Sequence, residues 1–206
     1  MGKILNITKT TNNRFLNMYD LDVEDKNGGK HAYHVASRAQ RKEDLKLSTG
    51  KNKPDGVIIY ALYGEKRDRV VLIRQYRYSI GTYIYEFPAG LVDTGEDFQA
   101  AGIRELREET GLTLHPLEAD PMYSRPYFTT IGMTDESCAA VFGWADGEIS
   151  SKGQEETEEI EVVLADRTEI ARILKEENVS LMCAYMMMHF LHEAPENPFA
   201  FLNGPK

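Results

Sequence analysis

A dense group of glutamates lies near the middle of the sequence, and its spacing suits the binding of a metal ion. Glu105 and Glu109 are four residues apart, so both project from one face of a helix. Glu108, three residues after Glu105, lies about 60° from it around the helix and can join them. Because like charges repel and the last turn of a helix disfavours negative charge, the group is unfavourable unless a cation lies nearby. Clustered carboxylate oxygens suit Mg²⁺, with Mn²⁺ as the alternative, rather than zinc.

The elements that must hold these glutamates are a helix and a sheet. The helix is predicted over residues 96–109, with Gly95 before it and Gly111 after it. Two apolar, β-branched runs predict central strands at residues 57–62 and 70–73. Further strands are predicted at 139–144 and 160–165, and further helices at 166–177 and 180–193. Strands interleaved with helices indicate an α/β or α+β domain.

A small antiparallel β unit is predicted at the N-terminus. Residues 14–37 have the pattern of a hairpin, because Asn27-Gly28-Gly29 between two strand-like runs is typical of a tight turn. A polar, lysine-rich stretch follows at residues 37–55, and Pro54-Asp55-Gly56 is typical of a break in regular structure. We therefore predict an N-terminal β unit at residues 1–50 and a main domain at residues 51–206.

Composition and charge exclude several classes of function. The chain has 206 residues, with 24 Lys and Arg against 33 Asp and Glu, so its formal net charge is −9. No basic surplus is available to neutralise nucleic-acid phosphates, which argues against a nucleic-acid partner. Two cysteines are too few for a disulfide framework, and no apolar stretch reaches the roughly 20 residues that span a bilayer. We expect a cytoplasmic protein with no membrane partner, which acts on a small molecule.

The stretch from Gly90 to Leu112 resembles the signature of the Nudix hydrolases, Gly-x5-Glu-x7-Arg-Glu-apolar-x-Glu-Glu-x-Gly-apolar, and every fixed position is met. Taken alone, the charged run could be a solvated helix face. At background residue frequencies, however, the full pattern arises on the order of once in 10⁹ starting positions. The resemblance implies an α/β/α sandwich with a mixed sheet, and hydrolysis of a nucleoside diphosphate linked to another moiety.

The resemblance also implies roles for individual residues. Glu105 and Glu109 would be the principal metal ligands and part of the catalytic group, with Glu108 close by. The backbone carbonyl of Ala89 would be a further ligand. The residues that orient this group would be Glu96 and Arg104.

An acidic run at residues 154–160 resembles the late loop that supplies the catalytic base in one branch of the family. Counting back from Ile160, Glu156 is our prediction for the base, and Glu158 is the prediction for an additional metal ligand. As composition alone, the run would be a solvated loop.

That branch contains ADP-ribose pyrophosphatases and nucleotide-sugar hydrolases, and residues 73–78 and 85–90 resemble its conserved strand end and the segment before its signature. Arg74 and Arg77 are guanidinium groups suited to bidentate contact with phosphate, or else an exposed strand end. Glu86 would hold the substrate, or simply form a salt bridge. Members of this branch resemble intertwined homodimers, so we expect a homodimer.

Residues 129–137 align with a loop of that branch, but Ile131 stands where a proline is associated with ADP-ribose preference. Glu136 could reach the site or cap its own loop. The substrate is therefore expected to be ADP-ribose or a related nucleoside diphosphate sugar. GDP- or UDP-sugars, dinucleoside polyphosphates and a non-catalytic, nucleotide-sensing module remain the alternatives.

Overall fold

The computed structural model describes residues 1–155 and 158–204. Its strands are β1 (Lys3–Lys9), β2 (Asn17–Glu24), β3 (Lys30–Ser37), β4 (Gly56–Tyr63), β5 (Arg69–Arg77), β6 (Thr82–Glu86), β7 (Ala89–Leu91), β8 (Thr113–Pro116), β9 (Tyr127–Phe128), β10 (Ser137–Asp146) and β11 (Ile160–Ala165). Its α-helices are α1 (Lys46–Thr49), α2 (Phe98–Thr110), α3 (Pro121–Ser124), α4 (Arg167–Glu176) and α5 (Leu181–His192). Short 3₁₀ helices span Lys42–Asp44 and Ala200–Asn203.

The large sheet has the strand order β11-β5-β4-β10-β8, with β6 paired to β5 and β7 paired to β4. Alternation along β4 divides its side chains between two apolar cores. Val57 and Ile59 enter one core, and Tyr60 and Leu62 enter the other. The predicted strands at 57–62 and 70–73 are thus confirmed as the centre of the sheet, and both extend further than predicted.

Helices cover both faces of this sheet. On the first face, Leu106 of α2 packs with Val57, Ile59 and Leu112. On the second face, residues of α4 and α5 pack with Tyr60 and with the alternate positions of β5; these helix residues are Ile170, Ile173, Cys183, Met187 and Phe190. The expected α/β/α sandwich is confirmed, because one buried sheet separates two helical layers.

The chain divides into two compact units, and the first consists of residues 1–55 together with residues 126–138. Its sheet has the antiparallel order β1-β2-β3, and the predicted hairpin is confirmed with its turn at Asp25–Gly29. The later stretch belongs to this unit because β3 holds it: Tyr33 Oη donates to the Gly132 carbonyl at 2.9 Å, and the Ala36 N–H donates to the Met133 carbonyl at 2.9 Å.

Lys46 is a second link within the first unit. Its ammonium donates to Asp55 Oδ2 at 2.6 Å and to the Lys53 carbonyl at 2.9 Å, and it also bonds Ser137 Oγ. The Lys46 side chain is 15% exposed and that of Asp55 is 23% exposed, so this ion pair is shielded from water. The polar, lysine-rich stretch that follows the hairpin is therefore held in place by a lysine near its centre.

The second compact unit consists of residues 56–125 and 139–206, and its described part contains both cores of the sandwich. In the part of the chain that the structure describes, no helix is both long and apolar enough to span a membrane.

Candidate active site

The signature forms a turn followed by α2. The helix begins at Phe98 rather than at residue 96, because the Asp97 carboxylate accepts hydrogen bonds from the N–H groups of Gln99 and Ala100 and so caps the helix. It ends at Thr110, and Gly111 follows in the left-handed conformation with φ of 78°. The predicted helix is confirmed, with both glycines just outside it.

Arg104 holds the carboxylates around it. Its Nε and Nη2 donate to the two oxygens of Glu96 at 3.1 and 3.0 Å, as a bidentate pair. Its Nη1 donates to Glu105 Oε1 at 2.7 Å and to Glu108 Oε2 at 3.0 Å, while Nη2 also donates to the Leu91 carbonyl at 3.0 Å. A guanidinium has five N–H donors, and these contacts within the described residues engage all of them. Such a residue orients its neighbours and has no donor to spare for a phosphate.

Glu105 lies against the backbone of Gly90, at the start of the signature. A Cβ atom at Gly90 would lie 1.9 Å from Glu105 Cδ, so the carboxylate occupies space that only glycine leaves open. The Glu105 side chain is 14% exposed. Burial raises the pKa of its carboxyl group, and the hydrogen bond from Arg104 opposes that rise.

Glu109 is the most deeply buried carboxylate of the signature, at 4% exposure. Its Oε2 accepts a hydrogen bond from the Ala89 N–H at 3.1 Å. Burial raises the pKa of Glu109 to about 9, and the charges of Glu158 and Glu105 add to the rise, while the Ala89 N–H and Arg77 oppose it. At neutral pH this group binds a proton unless a cation takes the proton's place.

The acidic run before β11 contributes Glu158 to the same neighbourhood. Its negative charge raises the pKa of both Glu109 and Glu105. Glu158 accepts a hydrogen bond at Oε2 from the Glu155 N–H at 3.3 Å, and its own N–H donates to the Glu155 carbonyl at 3.0 Å. Glu156, the predicted base, lies outside the described residues.

The two arginines of β5 are not brought together. They are three residues apart, and the regular pairing of β5 with β6 and β11 directs their side chains to opposite faces of the sheet. Arg77 lies close enough to Glu109 to lower its pKa, and its Nε donates to Glu86 Oε2 at 2.6 Å. Arg74 instead stacks on the Tyr83 ring, 4.0 Å from its centroid, and reaches Glu161 at 3.4 Å.

Glu136 lies in the first compact unit, where it caps its own loop. Its Oε1 accepts from Arg38 Nε at 2.9 Å, and its Oε2 accepts from Thr129 Oγ1 at 3.1 Å. Ile131, in the same loop, is 63% exposed. Of the two roles that the sequence left open for Glu136, the contacts fit loop capping.

The donor chemistry of the cluster fits a divalent cation. Glu105, Glu109 and Glu158 supply hard oxygen ligands, and the negative charge of Glu158 disfavours the ionised forms of both Glu105 and Glu109. Within residues 1–155 and 158–204, no three Asp, Glu, His or Cys side chains converge into a ready metal centre. Arg104 instead pairs with the carboxylates of Glu105 and Glu108, at 2.7 and 3.0 Å.

Two features near the cluster are absent from the sequence prediction. Gln154 donates from its side-chain amide to the Glu109 carbonyl at 2.7 Å, a contact between residues 45 apart that no local pattern signals. A cleft of about 500 Å³ also opens beside the end of α2. It is lined by Arg104, Arg107, Glu108, Gly111, Ser150, Lys152 and Gly153. Lys152 belongs to a loop far along the chain, so its approach to α2 depends on the fold.

The chain has relatives of related sequence among known proteins. The chain is 29% identical over 129 residues to the ADP-ribose pyrophosphatase of Saccharomyces cerevisiae, which covers 62% of this chain and 53% of that protein. It is 39% identical over 82 residues to the ADP-sugar pyrophosphatase of Mus musculus, covering 38% of each chain. The chain thus spans about half the length of the yeast relative, and less of the mouse relative.

A solved structure shares the fold. The crystal structure of an ADP compounds hydrolase superposes with a TM-score of 0.68, covering 92% of this chain and 94% of that chain at 20% sequence identity. The model of the NUDIX domain family matches residues 52–182, which is more than half of the sequence. This stretch contains the complete signature and the helix that bears its glutamates. The chain therefore belongs to the NUDIX domain family.

Proposed function

We propose that the protein is a Mg²⁺-dependent pyrophosphohydrolase, which cleaves ADP-ribose or a related nucleoside diphosphate sugar to a nucleoside monophosphate and a sugar phosphate. One observation carries the proposal: Glu105 and Glu109 project from one face of α2, Glu109 is almost completely buried, and Arg104 orients one side of the group. The names of the yeast and mouse relatives support the substrate class.

The ion would be held by Glu105, Glu109 and Glu158, with Glu108 and the Ala89 carbonyl as further ligands. When bound there, Mg²⁺ would neutralise charge on the diphosphate and make the attacking water more acidic. Mn²⁺ is expected to replace it, because both ions accept carboxylate oxygens.

The chain's own residues would do the remaining work. Arg77 would turn from Glu86 to the diphosphate, since a guanidinium 2.6 Å from one carboxylate oxygen is already placed for bidentate anion contact. Glu86 would then be free to contact the substrate or its water. Glu156 would accept the proton of the attacking water. Arg74 would contribute only if its contact with Glu161 were exchanged for the substrate.

A substrate panel tests the reaction class. ADP-ribose, ADP-glucose, GDP-mannose, UDP-glucose and diadenosine polyphosphates are incubated with Mg²⁺, and phosphatase added afterwards releases phosphate only from newly exposed monoesters. We expect kcat/KM for ADP-ribose to exceed that for the non-adenine sugars. A higher kcat/KM for GDP- or UDP-sugars than for ADP-ribose would contradict the proposed substrate. Tight binding of ADP-ribose without turnover would indicate a nucleotide sensor instead of an enzyme.

Carboxamide variants test the roles of the glutamates. Glu109→Gln should abolish turnover and weaken Mg²⁺ binding, because a neutral amide is a poor ligand for a hard cation. Glu156→Gln should lower kcat while Mg²⁺ binding persists. Glu118→Gln, at an exposed position before α3, is the matched control and should behave as the native protein. Equal, mild effects at residues 109 and 156 would contradict the role assignment.

We also propose a cytoplasmic homodimer. Both cysteines of the chain, Cys138 and Cys183, are free thiols, in keeping with a reducing compartment. Light scattering coupled to gel filtration tests the assembly, and a mass equal to one chain at micromolar concentration would refute the dimer.

A further inference from the structure

Helix α5 has an apolar outer surface. Its inner side is formed by Cys183, Met187 and Phe190, which are buried in the core beneath the large sheet. On the opposite side three large side chains are exposed to solvent; they are Leu181 at 70%, Tyr185 at 65% and Met188 at 46%. Because they are four and three residues apart, they form one stripe along the helix, and the exposed His192 extends it by one turn. We call these four residues the outer stripe of α5.

The neighbouring helix shows how a helix surface that stays in contact with water is built. Helix α4 packs on the same face of the sheet through Ile170 and Ile173. Its other side carries Arg172, which forms ion pairs with Glu169 and Glu177, each at 2.8 Å. By contrast, none of the twelve residues of α5 is Asp, Glu, Lys or Arg. A helix that is apolar on all sides is typical of one that is covered on all sides, so the sequence of α5 indicates a partner on the outer stripe.

The outer stripe is symmetric about the middle of its helix. Leu181 and His192 lie at equal distances from the midpoint, which falls between residues 186 and 187, and so do Tyr185 and Met188. Two copies of α5 that run antiparallel across a two-fold axis at this point would place Leu181 against His192, and Tyr185 against Met188. A two-fold interface requires a surface that is complementary to itself, and this spacing meets that requirement. Steps of four, three and four residues are also those of the contact positions in paired helices.

Charge separates a second copy from other surfaces that would cover the stripe. A helix that lies on a membrane carries Lys and Arg on its polar side, and α5 has neither. The formal net charge of −9 also opposes approach to an anionic bilayer. A second α5 is equally free of such charges. In antiparallel packing the positive end of each helix dipole lies beside the negative end of the other, which favours the pair.

We propose that the outer stripe of α5 is a surface through which two copies of the chain associate, with their α5 helices antiparallel. The inference rests on the proposed homodimer, to which it assigns a contact surface, and not on the proposed hydrolysis. In this arrangement Tyr185 and Met188 lie nearest the axis. Large aromatic side chains at the centre of an interface typically supply a large share of the binding energy, so Tyr185 is the residue to change first.

The first test measures association by sedimentation equilibrium over a range of protein concentrations. Tyr185→Glu sets a carboxylate at the centre of the stripe in each copy, and glutamate is well tolerated at an exposed helix position. We expect the Kd for association of two chains to rise at least about tenfold. Thr168→Glu, at an exposed position in the first turn of α4, adds the same charge and should leave the Kd unchanged. Thermal melts verify the fold, and Met188→Lys is the second variant, with the same expected effect.

The second test reads the direction of the two helices. Tyr185→Cys protein and Met188→Cys protein are oxidised mildly, each alone and as an equal mixture, and disulfide-linked dimers are counted by mass spectrometry. The mixture should yield several times more linked dimer than either protein alone, because residue 185 of one copy faces residue 188 of the other. The native chain, whose Cys138 and Cys183 remain, gives the background. Linkage that is as efficient in the separate proteins as in the mixture would contradict the antiparallel arrangement.

The outcomes separate this inference from the proposals before it. A native mass of one chain at all concentrations refutes the homodimer and this surface together, and flotation of that chain with vesicles of phosphatidylcholine and phosphatidylglycerol would assign the stripe to a lipid surface instead. A native dimer whose Kd is unchanged in folded Tyr185→Glu and Met188→Lys overturns this surface alone, because the copies then associate elsewhere. Neither test contains a nucleotide, so a failure to hydrolyse ADP-ribose would leave both results intact.

Discussion

A single methyl group at Gly90 should displace the Glu105 carboxylate while leaving the fold intact. The Cβ atom of an alanine there would lie 1.9 Å from Glu105 Cδ and 2.1 and 2.3 Å from the two carboxylate oxygens. Ordinary contact begins at 3.4 Å, so the carboxylate must retreat by at least 1.5 Å. Its 2.7 Å bond to Arg104 cannot survive that movement unless Arg104 moves as well.

The cost to folding should be small, because the atoms in the way are the end of a flexible side chain. A strained side-chain rotamer costs about 0.5–1.5 kcal/mol. For a chain of this length, such a loss lowers Tm by about 1–6 °C. The cost to activity should be much larger, since misplacing a reacting group by about 1 Å can lower the rate by about 10²-fold. Gly90→Ala should therefore retain its structure and lose about two orders of magnitude in kcat/KM for ADP-ribose.

Thermal melts and steady-state kinetics on the same preparation provide the measurement. Gly132→Ala gives the stability reference, because a Cβ at that position meets no described atom within 4 Å. Glu105→Asp shortens the side chain by one methylene and makes room, so adding Gly90→Ala to it should do little further harm. Unchanged kcat/KM in Gly90→Ala would refute the role of Glu105 at this position. A fall in Tm of more than about 10 °C would show that the backbone, and not the Glu105 carboxylate, moves to relieve the steric clash.

Three further predictions concern stability and thiol chemistry. Tyr60→Phe should raise the free energy of unfolding by up to about 1 kcal/mol in thermal melts, because the buried Tyr60 hydroxyl has no hydrogen-bond partner among the described residues; a clear loss would reveal a partner such as bound water. Lys46→Met should lower the free energy of unfolding by roughly 1–3 kcal/mol in urea titrations, since it leaves the shielded Asp55 carboxylate with the Ser137 N–H but without its cation, and Asp55→Asn added to it should cost less than the separate losses combined. Burial raises the pKa of Cys138 from 9.0 to about 11, so iodoacetamide at pH 8 should modify it about 100-fold more slowly than an unfolded thiol, and the rate should climb with pH up to about 11. Mass spectrometry counts the adducts, Cys183 should react more slowly still, and rapid native labelling of either thiol would contradict these assignments.

The signature carried most of what could be predicted about the site. Fixed residue types at fixed spacing on one helix determine which carboxylates share a face, so the group formed by Glu105, Glu108 and Glu109 follows from local geometry. The sequence prediction treated Arg74 and Arg77 as a pair because they are close in the chain. Residues three apart in a strand face opposite sides of the sheet, so strand alternation already predicts their separation. The central strands were also predictable, because a run of apolar β-branched residues is a local pattern that does not depend on the rest of the fold.

Long-range contacts lay beyond prediction from local patterns. The bond from Gln154 to Glu109 joins residues 45 apart, and the bond from Tyr33 to Gly132 joins residues 99 apart. Both depend on where the whole sheet brings two loops, which no spacing in the sequence encodes. The first strand, Lys3–Lys9, was also missed, since its exposed face has no clear apolar alternation.

The discontinuity of the first compact unit limits how this protein can be divided or recombined. Its two stretches, residues 1–55 and 126–138, are separated by residues 56–125, yet Tyr33, Ala36 and Arg38 bond the later stretch. Removal of residues 1–50 would leave residues 126–138 without these partners, so the N-terminal segment cannot be removed as an independent module. A chimera with a relative must exchange both stretches together. Over evolution, changes in the loop around Ile131 and changes in the β3 hairpin should accordingly be inherited as a pair.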